Sequence, residues 1–223
     1  MERRTYNERL YQAFARVGKA AASPQRLRLL ELLSQAPRTV ESLAASSGMS
    51  VANTSQHLRT LREAGLVESE RDGTYVVYRL AGPDVNAFLD AVRGLAESHI
   101  ADVDRVRREY LESRDTMEAV DGDDLLRRVR GGEVTVLDVR PTEEYEASHV
   151  SGAISVPLGE LKGRLRSLPT DRDVVAYCRG PYCVLALDAV DLLRKHGIRA
   201  FRLEDGVHAL AEKGVEMVFG KNN

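Results

Sequence analysis

The sequence predicts two domains: a mainly α domain that carries a β-hairpin, then an α/β domain on a mostly parallel sheet. Three observations carry this. Apolar residues recur at helical spacing up to Val67, and an Asp72-Gly73 turn between β-prone arms follows. Beyond residue 130 short apolar runs alternate with helical segments, the pattern of parallel strands joined by crossover helices. Polar residues from Ser113 to Val120 separate the two regimes, giving expected domains of 1–115 and 116–223.

The chain of 223 residues suits two ordinary domains, and 43% hydrophobic with 30% charged residues describes a soluble globular protein. The N-terminus has no apolar run, which predicts a cytoplasmic chain without membrane contact. Two cysteines in such a chain argue against a disulfide framework. The net charge of -2 hides an asymmetry. Met1 to Arg62 has ten Lys/Arg against four Asp/Glu, whereas Glu63 to Asp115 has seven against twelve. Positive charge before and within one short helix is a modest footprint for nucleic acid.

Tyr6 to Val17 reads as a helix, and Ser23-Pro24 opens the next with Ser as N-cap and Pro at the first position. Leu27, Leu30 and Leu33, with Leu29 and Leu32 beside them, give it a wide apolar stripe. Thr39 starts a short helix, Ser46 to Met49 is a turn, and Ser50 caps a helix that runs to about Ala64. A hairpin follows, and Pro83 begins a long helix expected to reach Glu112. Two short helices joined by a Gly-containing turn and followed by a hairpin form a winged helix-turn-helix. On a helical wheel Val51, Leu58 and Leu61 share one face; Asn53, Gln56 and Thr60 share the opposite one. Amide side chains there suit bidentate contacts to adenine in the major groove. His57 flanks this face, and the wheel places Ser55 near the buried side.

The runs Ser23 to Leu30, Ser50 to Val67 and Gly73 to Leu80 resemble the ArsR-type winged-helix repressors, over roughly Tyr6 to Glu112. The resemblance implies a homodimer on a double-stranded DNA operator. It also implies DNA contacts by Ser55, Gln56, His57 and Arg59, and by Arg71 in the wing. Metal-sensing members carry paired Cys ligands before the turn or Asp/His ligands on the last helix. Here Val40 to Ala45 has no Cys, and His99 with Asp102 is too few for a tetrahedral site, so no metal is expected.

In the second half Val134–Val139, Ala153–Val156, Val174–Tyr177 and Ile198–Leu203 read as strands, and Glu143–Ala147, Glu160–Leu168 and Val184–His196 as helices. Cys178 follows the third strand and begins a tight loop, Arg179, Gly180, Pro181, Tyr182, Cys183 and Val184, that opens a helix. Backbone N–H groups and the helix dipole favour an anion there. Such surroundings lower a thiol pKa from about 8.5 to roughly 3.5–7.5, so Cys178 is expected to be the thiolate.

Val136 to Pro141, Glu143 to Tyr145, His149, Gly152-Ala153 and Val156 to Leu158, with the strand–Cys–loop–helix of Val174 to Leu193, resemble a rhodanese domain over about Asp121 to Val218. The resemblance implies Cys178 as catalytic sulfur carrier, cycling between thiolate and persulfide with a sulfane-sulfur donor and no cofactor. Asp138, Arg140 and Glu144 become a structural ion-pair group under the site. The chain departs from the family in three places: Cys183 stands where the loop commonly ends in Arg, Asp205-Gly206 where a Gly-Gly pair is usual, and Ser148 where Gly precedes His149. Cys183 is therefore a candidate resolving thiol, able to attack a persulfide on Cys178 by thiol–disulfide exchange. Three functions stay open: a regulator that senses reactive sulfur, an active sulfurtransferase with an autoregulatory DNA-binding domain, and an arsenite or thiol-oxidant sensor using Cys178 and Cys183.

Overall fold

The computed structural model describes residues 3–112, 119–120, 122–130, 132–169 and 171–220. Its contacts divide the chain into two compact units, Met1–Ala101 and Asp102–Asn223. The segment read as the domain junction, 113–120, lies mostly outside the described residues.

The first unit contains α1 (Arg3–Ala21), α2 (Pro24–Gln35), β1 (Arg38–Thr39), α3 (Val40–Ser47), α4 (Val51–Glu63), β2 (Val67–Asp72), β3 (Tyr75–Leu80) and α5 (Pro83–His99). The start signals act through their side chains. Ser23 accepts from the Arg26 N–H at 3.4 Å, Thr39 from Ser42 at 3.3 Å and Ser50 from Asn53 at 3.3 Å. Leu29, Leu30 and Leu32 of α2 meet Leu43, Leu58 and Leu61 in the core, each fully buried. One buried Leu is worth about 1.5–3 kcal/mol, more than any single propensity difference among ordinary helix residues, so this stripe fixes α2 in place. The hairpin pairs Asp72 with Tyr75 and turns through Gly73-Thr74, one residue later than the sequence suggests. Gly73 takes φ 59°, which only a residue without Cβ adopts cheaply. Two-residue β1 adds to β3, so the sheet order is β1-β3-β2.

The helix expected to run unbroken from Pro83 to Glu112 is interrupted at Ile100, whose backbone is extended (φ -116°, ψ 99°). A new helix, α6 (Ala101–Glu112), starts at once with Asp102 and Asp104 in its first turn. Those carboxylates favour a helix N-terminus here, and His99 sits in the last turn of α5, where a cation is favoured.

The second unit continues with β4 (Ala119–Val120), α7 (Gly122–Arg130), β5 (Val134–Asp138), α8 (Thr142–Ala147), β6 (Ser148–Val150), β7 (Ile154–Ser155), α9 (Leu158–Arg164), β8 (Asp173–Tyr177), α10 (Leu185–Lys195), β9 (Ala200–Leu203), α11 (Val207–Glu212) and β10 (Met217–Phe219). Five strands form a parallel sheet in the order β4-β9-β8-β5-β7, and β6 pairs antiparallel with β10. Alternation along β8 divides the core: Val174 and Ala176 face one side, Val175 and Tyr177 the other. Cys178 continues the first face and packs with Ala186, Val190 and Leu193 of α10. Asp138 is in register with Tyr177, so the loops after β5 and β8 leave the sheet side by side at its C-terminal edge. That edge is where open parallel sheets bind ligands. No described helix is long and apolar enough to cross a membrane.

Candidate functional site

Two surfaces carry chemistry. On α4 the buried face is Thr54, Leu58 and Leu61, an i, i+4, i+7 series. Val51, placed on that face by the wheel, is instead 46% exposed at the first helical position, and Thr54 replaces it with its hydroxyl bonded to the Ser50 carbonyl at 3.0 Å. Asn53, Ser55, Gln56 and Arg59 are exposed; His57 and Thr60 are half-buried. Ser55 therefore points outward, not toward the core as the wheel suggested, because the core face is centred on Thr54 and Leu58. Thr60 donates to the Gln56 carbonyl at 3.2 Å, and Arg59 pairs with Glu63 at 2.8 Å. Arg71 is exposed on the wing, opposite Val76. A residue that no sequence pattern singled out is Arg38: it is buried, and it donates to Ser42 at 3.1 Å and Ser46 at 3.2 Å, tying β1 to α3.

The second surface is the loop between β8 and α10. Cys178 is 2% exposed and Cys183 5%, and the two are not joined in a disulfide. The Cys183 N–H donates to the Gly180 carbonyl at 3.0 Å, which folds the loop back, and the Cys178 thiol donates to the Cys183 carbonyl at 3.3 Å. Gly180 takes φ 138°, and its neighbour across the site is Gly206 at the start of α11. A Cβ at Gly206 would collide with the Arg179 carbonyl. One glycine of the usual pair is therefore retained for a close backbone approach, while Asp205 takes other work: it accepts from the Gly122 N–H and from Lys213, both at 2.8 Å. Ser148, the third departure, has φ -163° and ψ 140°, a conformation open to any residue.

Asp138, Arg140 and Glu144 are fully buried, and Glu144 acts on Arg140 electrostatically. Arg140 grips Asp138 at 2.7 Å and donates to the Ser148 carbonyl at 2.7 Å. Glu144 reaches the loop itself, where it accepts from Arg179 Nε at 2.9 Å and Nη2 at 2.6 Å. The Arg179 side chain is turned inward as the anchor of the loop, rather than outward toward a donor. Tyr177 accepts from the Val150 N–H at 3.2 Å, and burial pushes its hydroxyl pKa far up, so it remains a neutral strut.

The proton distribution differs from the expectation that Cys178 is the acidic thiol. Hydrogen bonding from the Cys178 thiol draws the Cys183 pKa down to about 6, against the opposing effect of burial and with help from the Arg179 and Leu185 N–H groups. The same hydrogen bond, together with burial and the adjacent anion, pushes Cys178 well above the ordinary thiol value. The two sulfurs form a thiol–thiolate unit with its resting charge on Cys183. The expected result is iodoacetamide alkylation of Cys183 with a midpoint near pH 6, well before Cys178 reacts. The same ordering gives a stability signature. A folded pKa below the unfolded one contributes stability that is complete above the unfolded value, about 9, and lost as pH falls through about 6. The raised Cys178 works the other way, its contribution lost at alkaline pH. Labelling of Cys178 ahead of Cys183 at neutral pH would contradict this assignment.

Residues 23–69 match the family described as bacterial regulatory protein, arsR family, and residues 121–213 match the rhodanese-like domain. The HTH-type transcriptional regulator Rv0324 of Mycobacterium tuberculosis is 47% identical over 198 residues, which span 89% of this chain and 87% of that protein. The HTH-type transcriptional regulator YgaV of Escherichia coli is 36% identical over 78 residues, 34% of this chain and 79% of that one. A solution structure of the homodimeric winged helix-turn-helix DNA-binding domain of Mb0332 from Mycobacterium bovis shares 39% identity, covering 46% of this chain and 92% of that one with a TM-score of 0.42. With a reading helix in its first unit, a thiol loop at the sheet edge of its second, and a relative of this identity over nearly its whole length, the chain belongs to the arsR family of HTH-type transcriptional regulators and carries a rhodanese-like domain as its second half.

Proposed function

We propose that this regulator senses reactive sulfur through its rhodanese-like domain, holding it as a persulfide on Cys178, and that the modification changes its hold on DNA. The observation that carries the reading is the thiol pair: two unbridged sulfurs lie buried in one pinned loop, with the Cys178 thiol donating to the Cys183 carbonyl. A persulfide on Cys178 attacked by Cys183 gives an internal disulfide and releases sulfide. On the DNA side, Asn53, Ser55, Gln56, His57, Arg59, Thr60 and Arg71 make the operator contacts, and the exposure of Asn53, Ser55, Gln56 and Arg59 supports this. The working unit is a homodimer, as the Mycobacterium bovis domain is described to be. Two reading helices then address half-sites roughly 34–36 Å apart. The setting is the cytoplasm, where thiols are kept reduced.

Mass spectrometry of the intact protein after polysulfide, peroxide and arsenite tests the reading. The expected result is a gain of sulfur mapped to Cys178, followed by a species lacking two hydrogens. Retained arsenic with no gain of sulfur would make the pair an arsenite sensor. Loss of two hydrogens with peroxide alone would make it an oxidant sensor. Continuous turnover of a sulfane-sulfur donor, with operator binding equal in all states, would make the protein an active sulfurtransferase.

A further inference from the structure

We propose that sulfur reaches the pair through Cys183, from an organic persulfide whose apolar body fills a cavity between α6 and the start of α10, and only then passes to Cys178. The inference rests on the sulfur-sensing reading and names its donor class and its receiving atom. The cavity has a volume of about 520 Å³, within the usual range for a small-molecule site. Its walls are Val103, Val106 and Tyr110 of α6 with Tyr182, Val184 and Leu187 of the loop and α10. Cys183 lies in this wall, while Cys178 sits behind it with its thiol turned to the Cys183 carbonyl. A donor approaching through the cavity therefore meets Cys183 first.

The lining selects among donors. Thiosulfate and inorganic polysulfide have no apolar surface to bury, and bringing their charge against Val, Leu and Tyr side chains costs desolvation. An organic persulfide, R–S–SH, buries R and presents one reactive end. The charged groups at the cavity are Arg107 and Asp102 of α6, and Arg107 also lies 3.6 Å from Glu204. Arg107 supplies from another element the cation that the loop lacks at Cys183, suited to the thiolate that leaves.

The step balances without another reagent. The Cys183 thiolate attacks the outer sulfur of R–S–SH; the S–S bond breaks and its electron pair leaves on RS⁻. The proton on Cys178 passes to RS⁻, giving RSH. The new Cys178 thiolate attacks the outer sulfur of the Cys183 persulfide, so sulfur moves to Cys178 and the anion returns to Cys183. A buried, protonated Cys178 is thus the proton source for the first step and the acceptor in the second.

The test uses the full chain with benzyl persulfide, glutathione persulfide and sodium tetrasulfide as probes, and peptide mapping of the added sulfur. Wild type is expected to react with benzyl persulfide roughly tenfold faster than with glutathione persulfide. Cys178→Ser should hold sulfur on Cys183, and Cys183→Ser should react with benzyl persulfide at least about tenfold more slowly than wild type. Val106→Asp, at a side chain 61% exposed and so tolerated by the fold, should erase the preference for the benzyl donor. Sulfur on Cys178 of the Cys183→Ser protein at the wild-type rate overturns the receiving role of Cys183. Equal rates with both organic persulfides overturn the donor class. Either result leaves the sensor reading standing, whereas no added sulfur from any probe removes both.

Discussion

Operator affinity is expected to fall about 5–150-fold when the reduced protein is treated with a sulfane-sulfur donor. That span corresponds to a coupling of about 1–3 kcal/mol between two sites. A donor shifts DNA binding only if sulfur in the loop interacts differently with the DNA-competent and DNA-released states. Here the added atom enters a buried loop whose backbone is held on one side by Gly206 and on another by Glu144, so its volume must be absorbed by movement. Titration of operator DNA with reduced protein, treated protein and Cys178→Ser reads the effect. Cys178→Ser should bind like the reduced wild type and ignore the donor, since sulfur cannot reach its final position. In the same assay Gln56→Ala should lose about 1–3 kcal/mol at its cognate base, while Arg71→Ala should weaken all sequences alike and flatten the salt dependence. Unchanged wild-type affinity after treatment would defeat the sensor reading, and a response that survives in Cys178→Ser would place the signal elsewhere.

The second large effect concerns stability. Glu144→Gln removes the carboxylate that holds Arg179, whose side chain is only 6% exposed. Leaving a guanidinium buried without its counter-charge costs about 3–5 kcal/mol. Glu143→Gln, one residue away and exposed, should stay within about 0.5 kcal/mol of wild type. Urea denaturation of the two variants measures the contrast. Replacing both members of the buried pair by Met should recover much of the loss, because no charge is then stranded. Equal stability of the two single variants would show that the pair does not hold the loop.

Much of this was legible in the sequence because single residues announce it. Ser23, Thr39 and Ser50 are N-caps whose side chains bond as their chemistry requires. Cys178 was placed by the apolar run before it and the helix after it. What was missed depends on distance in the chain. Strands β1, β4 and β7 have two residues each, and β6 and β10 three, too few for a period. The break at Ile100 has no Gly or Pro to signal it. Arg179, which also holds Glu144, was not legible as its partner because it lies far along the chain and is brought in by the pairing of β5 with β8. Cys178 was weighed alone in the sequence, whereas hydrogen bonding and burial push it up and hydrogen bonding draws Cys183 down.

The burial of the two sulfurs also bears on how long a signal lasts. With Cys178 and Cys183 nearly sealed from solvent and the loop anchored through Arg179, a reducing protein cannot engage a closed modified loop. Erasure by a protein-sized reductant then waits on local opening, whereas a small thiol has the cavity beside Cys183 as its route. When reduction outpaces reclosing, the rate no longer rises with reductant concentration. Toward a protein reductant such a switch has a built-in clock: it forgets an exposure to sulfur at a pace set by its own loop.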